Sequence, residues 1–324
     1  MSLTTRKPTG KPSWPILLLA GVEKSGKTYA AAAASGSDLI GRTIWVGIGE
    51  DDPDEYGAIP GARFEIAIHD GTYRSILSTL SLAVAELRQD SEPGLIVVDS
   101  GTRLWNLLSD EAQDAANTRA RAKARRSNRS EPEGDVTISM DLWNTAKQRW
   151  EHVMDVLREH QGPSIITARL DFTSVVDDLG EPTKERVWKV QAHKSLPFDV
   201  GATVEMTAPG EAYLTGVRSL RIRDAQVARK PMPKFNVDAL WREMGLADDA
   251  GERSHSQTRI GGTEPELVEA QRRVIKAWAA RHDGDEDLAR IASAYESDTG
   301  SDIRQADVAA LTAYAENLES QHER

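Results

Sequence analysis

Ile16-Leu-Leu-Leu-Ala20-Gly21-Val-Glu-Lys-Ser-Gly26-Lys27-Thr28-Tyr-Ala-Ala-Ala-Ala-Ala34 is the stretch on which the fold turns. Its unbroken apolar run suits a central parallel strand covered on both faces, where alternation is not needed. The alanines after Thr28 suit a helix. Between them lies a full G-x-x-x-x-G-K-[ST] pattern. Gly21 and Gly26 let the chain curl, so that the amides of Val22, Glu23, Lys24 and Ser25 converge on phosphate oxygens at the helix amino end. Lys27 is placed to reach the β and γ phosphates of ATP, and the Thr28 hydroxyl to take a position on Mg2+. The alternative is an ordinary glycine-rich turn, and the strand, Lys-Thr pair and helix together speak against it.

A nucleotide on such a loop needs a carboxylate from a neighbouring strand. Leu95-Ile-Val-Val-Asp99 supplies one at the carboxyl end of an apolar run, where Asp99 would support Mg2+ through water. Asp99 as a mere strand cap is the competing reading. The strand expected over Thr43–Ile48 runs into Gly49-Glu50-Asp51-Asp52-Pro53-Asp54-Glu55-Tyr56. Glu50 is the first acid after that strand, a position for a general base. A solvated acidic loop explains the same residues. Tyr56 reads equally as a stacking partner for adenine and as a plain aromatic.

The predicted fold class is α/β, a P-loop NTPase with a mainly parallel central sheet flanked by helices, plus a small C-terminal all-α domain. Further strands are expected at Phe64–Ala67, Ser164–Thr167, Thr203–Met206 and Leu220–Arg223. Helices are expected at Lys27–Ala34, Arg74–Arg88 and Leu142–His160. Residues 1–12 read as a flexible tail, 13–246 as the ATPase domain and 247–263 as a linker. Residues 264–324 read as a small helical domain, with apolar spacing over Pro265–Arg281, Glu286–Ser297 and Ile303–Ser320. A basic insertion occupies about 110–135, read as a mobile segment or a helix extension; Arg119–Arg129 holds six basic residues and no acid.

The formal net charge of -11 by itself argues against a chain that coats nucleic acid. The acid is unevenly placed: residues 247–324 carry 17 acidic and 9 basic side chains, leaving the first 246 almost balanced. The sequence has no cysteine, which removes disulfides and thiolate metal sites and fits a reducing cytoplasm. No apolar run is long enough to span a membrane. The polar first fifteen residues do not read as a secretory leader.

In order and spacing, GVEKSGKT, IGEDDPDEYG and LIVVDSGTRL resemble the successive motifs of the RecA/recombinase ATPase core. Glu50 follows Thr28 by 22 residues and Asp99 follows it by 71. The resemblance covers about Trp14 to Asp224. It implies that Glu50 is the catalytic base and that the strand ending Ile165-Ile-Thr167-Ala-Arg169 is the sensor. Thr167 and Arg169 would then report nucleotide state, where RecA has a Gln. The Thr-Ala-Arg ending is similar to phage RecA-like single-strand annealing recombinases and phage nucleotide-binding proteins. A phage-encoded chain would work in the host cytoplasm.

The same resemblance places single-stranded DNA against loops after the Asp99 strand and after the sensor strand. One candidate is Arg119, Arg121, Lys123, Arg125, Arg126 and Arg129. The other is Lys184, Arg186, Lys189 and Lys194 around Trp188, with the alternative of an ordinary hairpin turning at Asp177–Gly180. Cations that track a backbone beside an aromatic are the recipe for sequence-tolerant binding. Arg218, Arg221 or Arg223 would act as a finger in trans, implying self-association into a ring or filament. The acidic C-terminal domain is a candidate for a protein partner. Two other readings use the same core: a nucleotide-switched loader or interaction module, and a hexameric helicase or translocase motor.

Overall fold

The computed structural model describes residues 5–176, 182–222, 229–253, 265–282, 287–299, 303, 306 and 308–322. The chain divides into two compact units, Met1–His255 and Ser256–Arg324. In chain order the first unit holds β1 (Ile16–Gly21), α1 (Lys27–Ala34), β2 (Thr43–Gly47), a 3-10 turn (Asp54–Ala58) and β3 (Glu65–Ile66). It continues with α2 (Tyr73–Leu87), β4 (Leu95–Asp99), α3 (Gly101–Arg126), α4 (Met140–Glu159), β5 (Ser164–Val176) and β6 (Pro182–Gln191). α5 (Leu196–Asp199), β7 (Ala202–Ala208), β8 (Glu211–Val217), β9 (Lys230–Pro231), α6 (Val237–Glu243) and α7 (Leu246–Asp249) complete it.

One sheet runs β3-β2-β4-β5-β1-β7-β8-β9, and β6 pairs with β5. The pairs from β3 through β7 are parallel, whereas β8, β9 and β6 join antiparallel. The mainly parallel α/β sheet read from the sequence is the one found. Its apolar strands are buried on both faces, and the pleat sorts their residues by parity. Leu18, Val46, Val98 and Ile166 pack with α2, α3 and α4 on one face. Leu17, Leu19, Trp45, Val97 and Ile165 pack with α1 and α6 on the other.

Of the two readings of the basic insertion, the helix extension is the one found: Arg119–Arg126 forms the last turns of α3, a continuous helix of 26 residues. Ser100 caps that helix by accepting from the Arg103 amide, and Leu104, Leu108, Ala112 and Ala116 are buried along one stripe. The following segment is tied down, since Gln113 Nε2 donates to Val136 O at 2.8 Å and Asn117 Nδ2 to Asp135 Oδ1 at 2.9 Å.

Among the described residues, Leu220–Ile222 form no part of the strand expected at Leu220–Arg223. β8 ends at Val217, and Leu220 is 88% exposed while Ile222 is 2% exposed. A strand would put these two residues on one face. Arg223 lies outside the described residues, as does the turn Asp177–Gly180.

Residues 248–253, expected in the linker, pack on the first unit. Gly251 N donates to Pro12 O at 2.8 Å, and Ser13 pairs with Gly251. Arg253 donates to the carbonyls of Trp14, Leu157 and Gly162. Residues 248–253 therefore belong to the first unit, and residues 254–263 lie outside the described residues. Among the described residues of the second unit are α8 (Pro265–Arg281), α9 (Leu288–Thr299) and α10 (Val308–His322), around Val274, Ile291, Tyr295, Leu311 and Leu318.

Candidate functional site

The carboxyl ends of β1 and β4 meet beside Thr167–Arg169 of β5, which runs on past them, at the side of the sheet where parallel α/β sheets bind ligands. β5 lies between β1 and β4, with Leu19 opposite Thr167 and Gly21 opposite Arg169. β2 brings Gly47 opposite Asp99 on the far side of β4.

The loop after β1 is held tightly. Val22 N donates to Met206 O at 3.1 Å, and Ser25 Oγ donates to Val22 O at 2.9 Å. Gly21 sits where a Cβ would meet Ser25 Oγ at 2.3 Å, and Gly26 takes a φ of 96° at the amino end of α1. Both positions require glycine. Lys24 also takes a positive φ, 54°. Lys27 Nζ donates to Gly21 O at 3.0 Å and to Val22 O at 2.9 Å, so its ammonium bridges the loop. Burial lowers the Lys27 pKa, while Asp99 and Glu50 oppose that effect.

Asp99 is buried at the floor of this edge. Thr167 Oγ1 donates to one carboxylate oxygen, and Thr28 Oγ1 lies 3.4 Å from the other. Burial raises the Asp99 pKa, the Thr167 hydrogen bond works against that, and Glu50 adds to it. A buried carboxylate beside a threonine hydroxyl is a hard oxygen donor set suited to Mg2+. Among the described residues no three His, Asp or Glu side chains gather as a metal cage.

Glu50 is half-buried, beyond β2. Its Oε1 accepts from Ser100 Oγ at 2.9 Å and from Arg169 Nη2 at 3.0 Å, and its Oε2 lies 3.1 Å from the same nitrogen. Arg103 Nε stands 3.6 Å from Oε1. The Arg169 amide donates to Thr102 Oγ1 at 2.9 Å, which fixes the base of that side chain. Ser100, Thr102 and Arg103 went unnoticed in the sequence. Their signal was their place directly after the Asp99 strand.

A cavity of about 460 Å³ opens beside the loop, lined by Lys24, Ser25, Gly26, Tyr29, Met206 and Phe235 among others. Its size falls in the range of small-molecule sites. Tyr56 is not part of its lining. It packs, partly buried, against the apolar cluster that contains the α1 alanines.

The remaining candidates are dispersed. Arg119 pairs with Asp141 at 2.5 Å and Arg125 with Glu131 at 2.7 Å near the end of α3. Arg121, Lys123, Arg126 and Arg129 are exposed there. Lys184, Arg186 and Lys189 are exposed on β6, and Lys194 follows it. Arg186 lies 4.7 Å above the Phe172 ring, whose centroid is 4.7 Å from that of Trp188. Arg221 pairs with Asp248 at 3.0 Å, and Arg218 N donates to Gly201 O at 2.7 Å.

No family model matches the sequence, and no curated protein matches it. Among solved structures the chain is similar to the crystal structure of the RadB recombinase, at 17% identity and a TM-score of 0.37, over 64% of this chain and 84% of that one. It is also similar to an ATPase from the type III secretion system of pathogenic bacteria, at 12% identity and a TM-score of 0.34, over 94% of this chain and 80% of that one. The fold class follows from the strand order itself. No helix among the described residues is long and apolar enough to cross a membrane.

Proposed function

We propose that the chain is a RecA-like, Mg2+-dependent ATPase that acts on single-stranded DNA in recombination or strand annealing, as a self-associating protein. The observation that carries this reading is the convergence of Lys27, Thr28, Asp99 and Thr167 where β1 and β4 end beside β5. The loop amides and Lys27 bind the phosphates. Thr28 and Asp99 hold Mg2+, which when bound neutralises phosphate charge. Thr167 keeps the Asp99 carboxylate oriented toward Thr28. Glu50 accepts the proton of the attacking water. The nucleoside half takes the cavity lined by Tyr29 and Phe235, in place of a stack on Tyr56.

The β5–β6 hairpin supports the DNA half of the reading. It presents Lys184, Arg186 and Lys189 beside the Phe172–Trp188 pair, cations next to an aromatic platform. One strand, β5, carries both this platform and the Thr167–Arg169 end. Arg218 and Arg221 are the candidate fingers toward a neighbouring copy, and the second unit is a candidate docking module for a protein.

ATP turnover of the full chain, measured with and without single-stranded DNA across a salt series, tests the proposal. Turnover should need Mg2+, rise with DNA at low salt and vanish in Lys27→Ala. Undiminished turnover in Lys27→Ala would remove the P-loop from its role. Turnover indifferent to every nucleic acid would favour a nucleotide-switched interaction module.

A further inference from the structure

Glu50 is placed to act as a base, yet its carboxylate is already engaged. Arg169 Nη2 reaches both oxygens, at 3.0 and 3.1 Å, and Ser100 Oγ takes Oε1 as well. Three hydrogen bonds occupy three of the carboxylate's roughly four acceptor sites, so the pairing holds Glu50 turned toward Arg169 and leaves little of it for a water that is to lose a proton. Arg169 is anchored where it has a second choice of anion. Its amide is fixed by Thr102, and its residue lies opposite Gly21, where the phosphate loop begins. Its charge acts on the Lys27 ammonium, as does that of Glu50 in the opposite sense. A guanidinium fork fits phosphate as well as carboxylate.

We infer that Arg169 is a partner-exchanging positioning residue, which gives up Glu50 for the terminal phosphate of a bound nucleoside triphosphate and so frees the carboxylate for water. The inference rests on the ATPase reading above. The exchange makes Glu50 a competitor of the third phosphate for one guanidinium. A nucleoside diphosphate does not enter that competition, because it lacks the phosphate in question. Arg103, 3.6 Å from Oε1, stays behind as a weaker partner that keeps Glu50 near its place.

The test is a double-mutant cycle on equilibrium binding, with the full chain and Mg2+. A non-hydrolysable ATP analogue and ADP are titrated into the wild type, Glu50→Gln, Arg169→Gln and the double variant. Glu50→Gln should tighten the analogue by about 3- to 10-fold, the weight of a partly exposed charge-assisted pair. It should move ADP by less than about 2-fold on the same grounds. In the Arg169→Gln background the gain from Glu50→Gln should disappear.

An analogue-to-ADP ratio unchanged by Glu50→Gln overturns the exchange. So does a gain that persists without Arg169, since that would be simple repulsion between Glu50 and phosphate. ADP affinity serves as the control for folding, because a misfolded variant would lose both ligands. A wild-type chain that binds neither nucleotide overturns the ATPase reading itself.

Discussion

Arg253 offers the sharpest test of how the strands under the site are held. The perturbation is Arg253→Met, which keeps the length of the stem and removes the guanidinium. That group donates to Trp14 O at 2.5 Å through Nη2, to Leu157 O at 2.6 Å and to Gly162 O at 3.2 Å. Trp14 precedes β1 and Gly162 precedes β5, so one side chain pins the starts of the two strands that carry the phosphate loop and Thr167. Three carbonyls left without this donor cost roughly 1–2 kcal/mol each at a partly buried site. Against that stands the cost of the buried cation. Burial, with repulsion from Arg158, lowers its pKa from 12.5 to about 10, worth roughly 3 kcal/mol. The net loss is therefore about 0–3 kcal/mol, or about 3–6 °C in Tm at its middle value for a domain of this size. Urea and thermal unfolding of the full chain measure it. A Tm clearly above that of wild type would refute the reasoning. A chain cut near Ala247 loses Arg253 altogether and should show the same defect, so a test of the tail is better made by cutting after His255.

Other outcomes follow from the same geometry. Thr167→Val removes a hydrogen bond from a buried carboxylate, worth about 1.5–3 kcal/mol, so ATP turnover should fall by roughly 10- to 100-fold. Because that bond opposes the upward push of burial on Asp99, the acid limb of the rate profile should move to higher pH; steady-state kinetics across pH would show it. His160, buried against Gly94 O at 2.8 Å, has its pKa pushed down by burial to about 4 from 6.5. The folded chain then holds fewer protons than the unfolded one between those values. Its contribution is complete above about pH 6.5 and is lost as pH falls toward 4, roughly 3 kcal/mol in all, and His160→Gln should flatten that part of a urea-midpoint profile. Phe235→Ala should weaken ATP by about 5- to 10-fold through lost apolar contact. It should leave inorganic tripolyphosphate unchanged, which isothermal titration would distinguish. Lys184→Glu with Lys189→Glu should weaken single-stranded DNA and flatten its log–log salt slope by about 1.4, two phosphates at 0.7 each.

The phosphate loop was legible because its chemistry is local. Strand, glycines, Lys27, Thr28 and helix lie within one short stretch, and Asp99 announces itself as the acid ending an apolar run. The rest of the site depends on strand order, which local pattern does not carry. Thr167 touches Asp99 because β5 is inserted between β1 and β4, and Arg169 meets Glu50 across the same edge. The cavity draws its lining from residues near 24–29, 206–212 and 234–237, so no single motif marks it. Helix α3 had a readable stripe in Leu104, Leu108, Ala112 and Ala116. The arginine-rich half that follows drew attention to its charge instead. Leu220–Arg223 failed in the opposite way, since alternation there passed for a strand while Leu220 is exposed and Ile222 buried.

Strand order also bears on which basic segment can speak to the nucleotide. The α3 cluster lies at the far end of a helix that starts beside Asp99. At 1.5 Å per residue it stands about 27–38 Å from Ser100. Two of its arginines are already matched by Asp141 and Glu131. The hairpin cations are different, because β5 carries Thr167 and Arg169 and then runs on into Phe172 and the pairing with β6. Arg169 itself pairs with Gln191 of β6, so the residue that holds Glu50 is part of the hairpin ladder. Under the proposed function, single-stranded DNA stacked on Phe172 and Trp188 would act on the ladder that positions Arg169. That connection through one strand favours the hairpin, more than the helix tip, as the proposed DNA-binding segment.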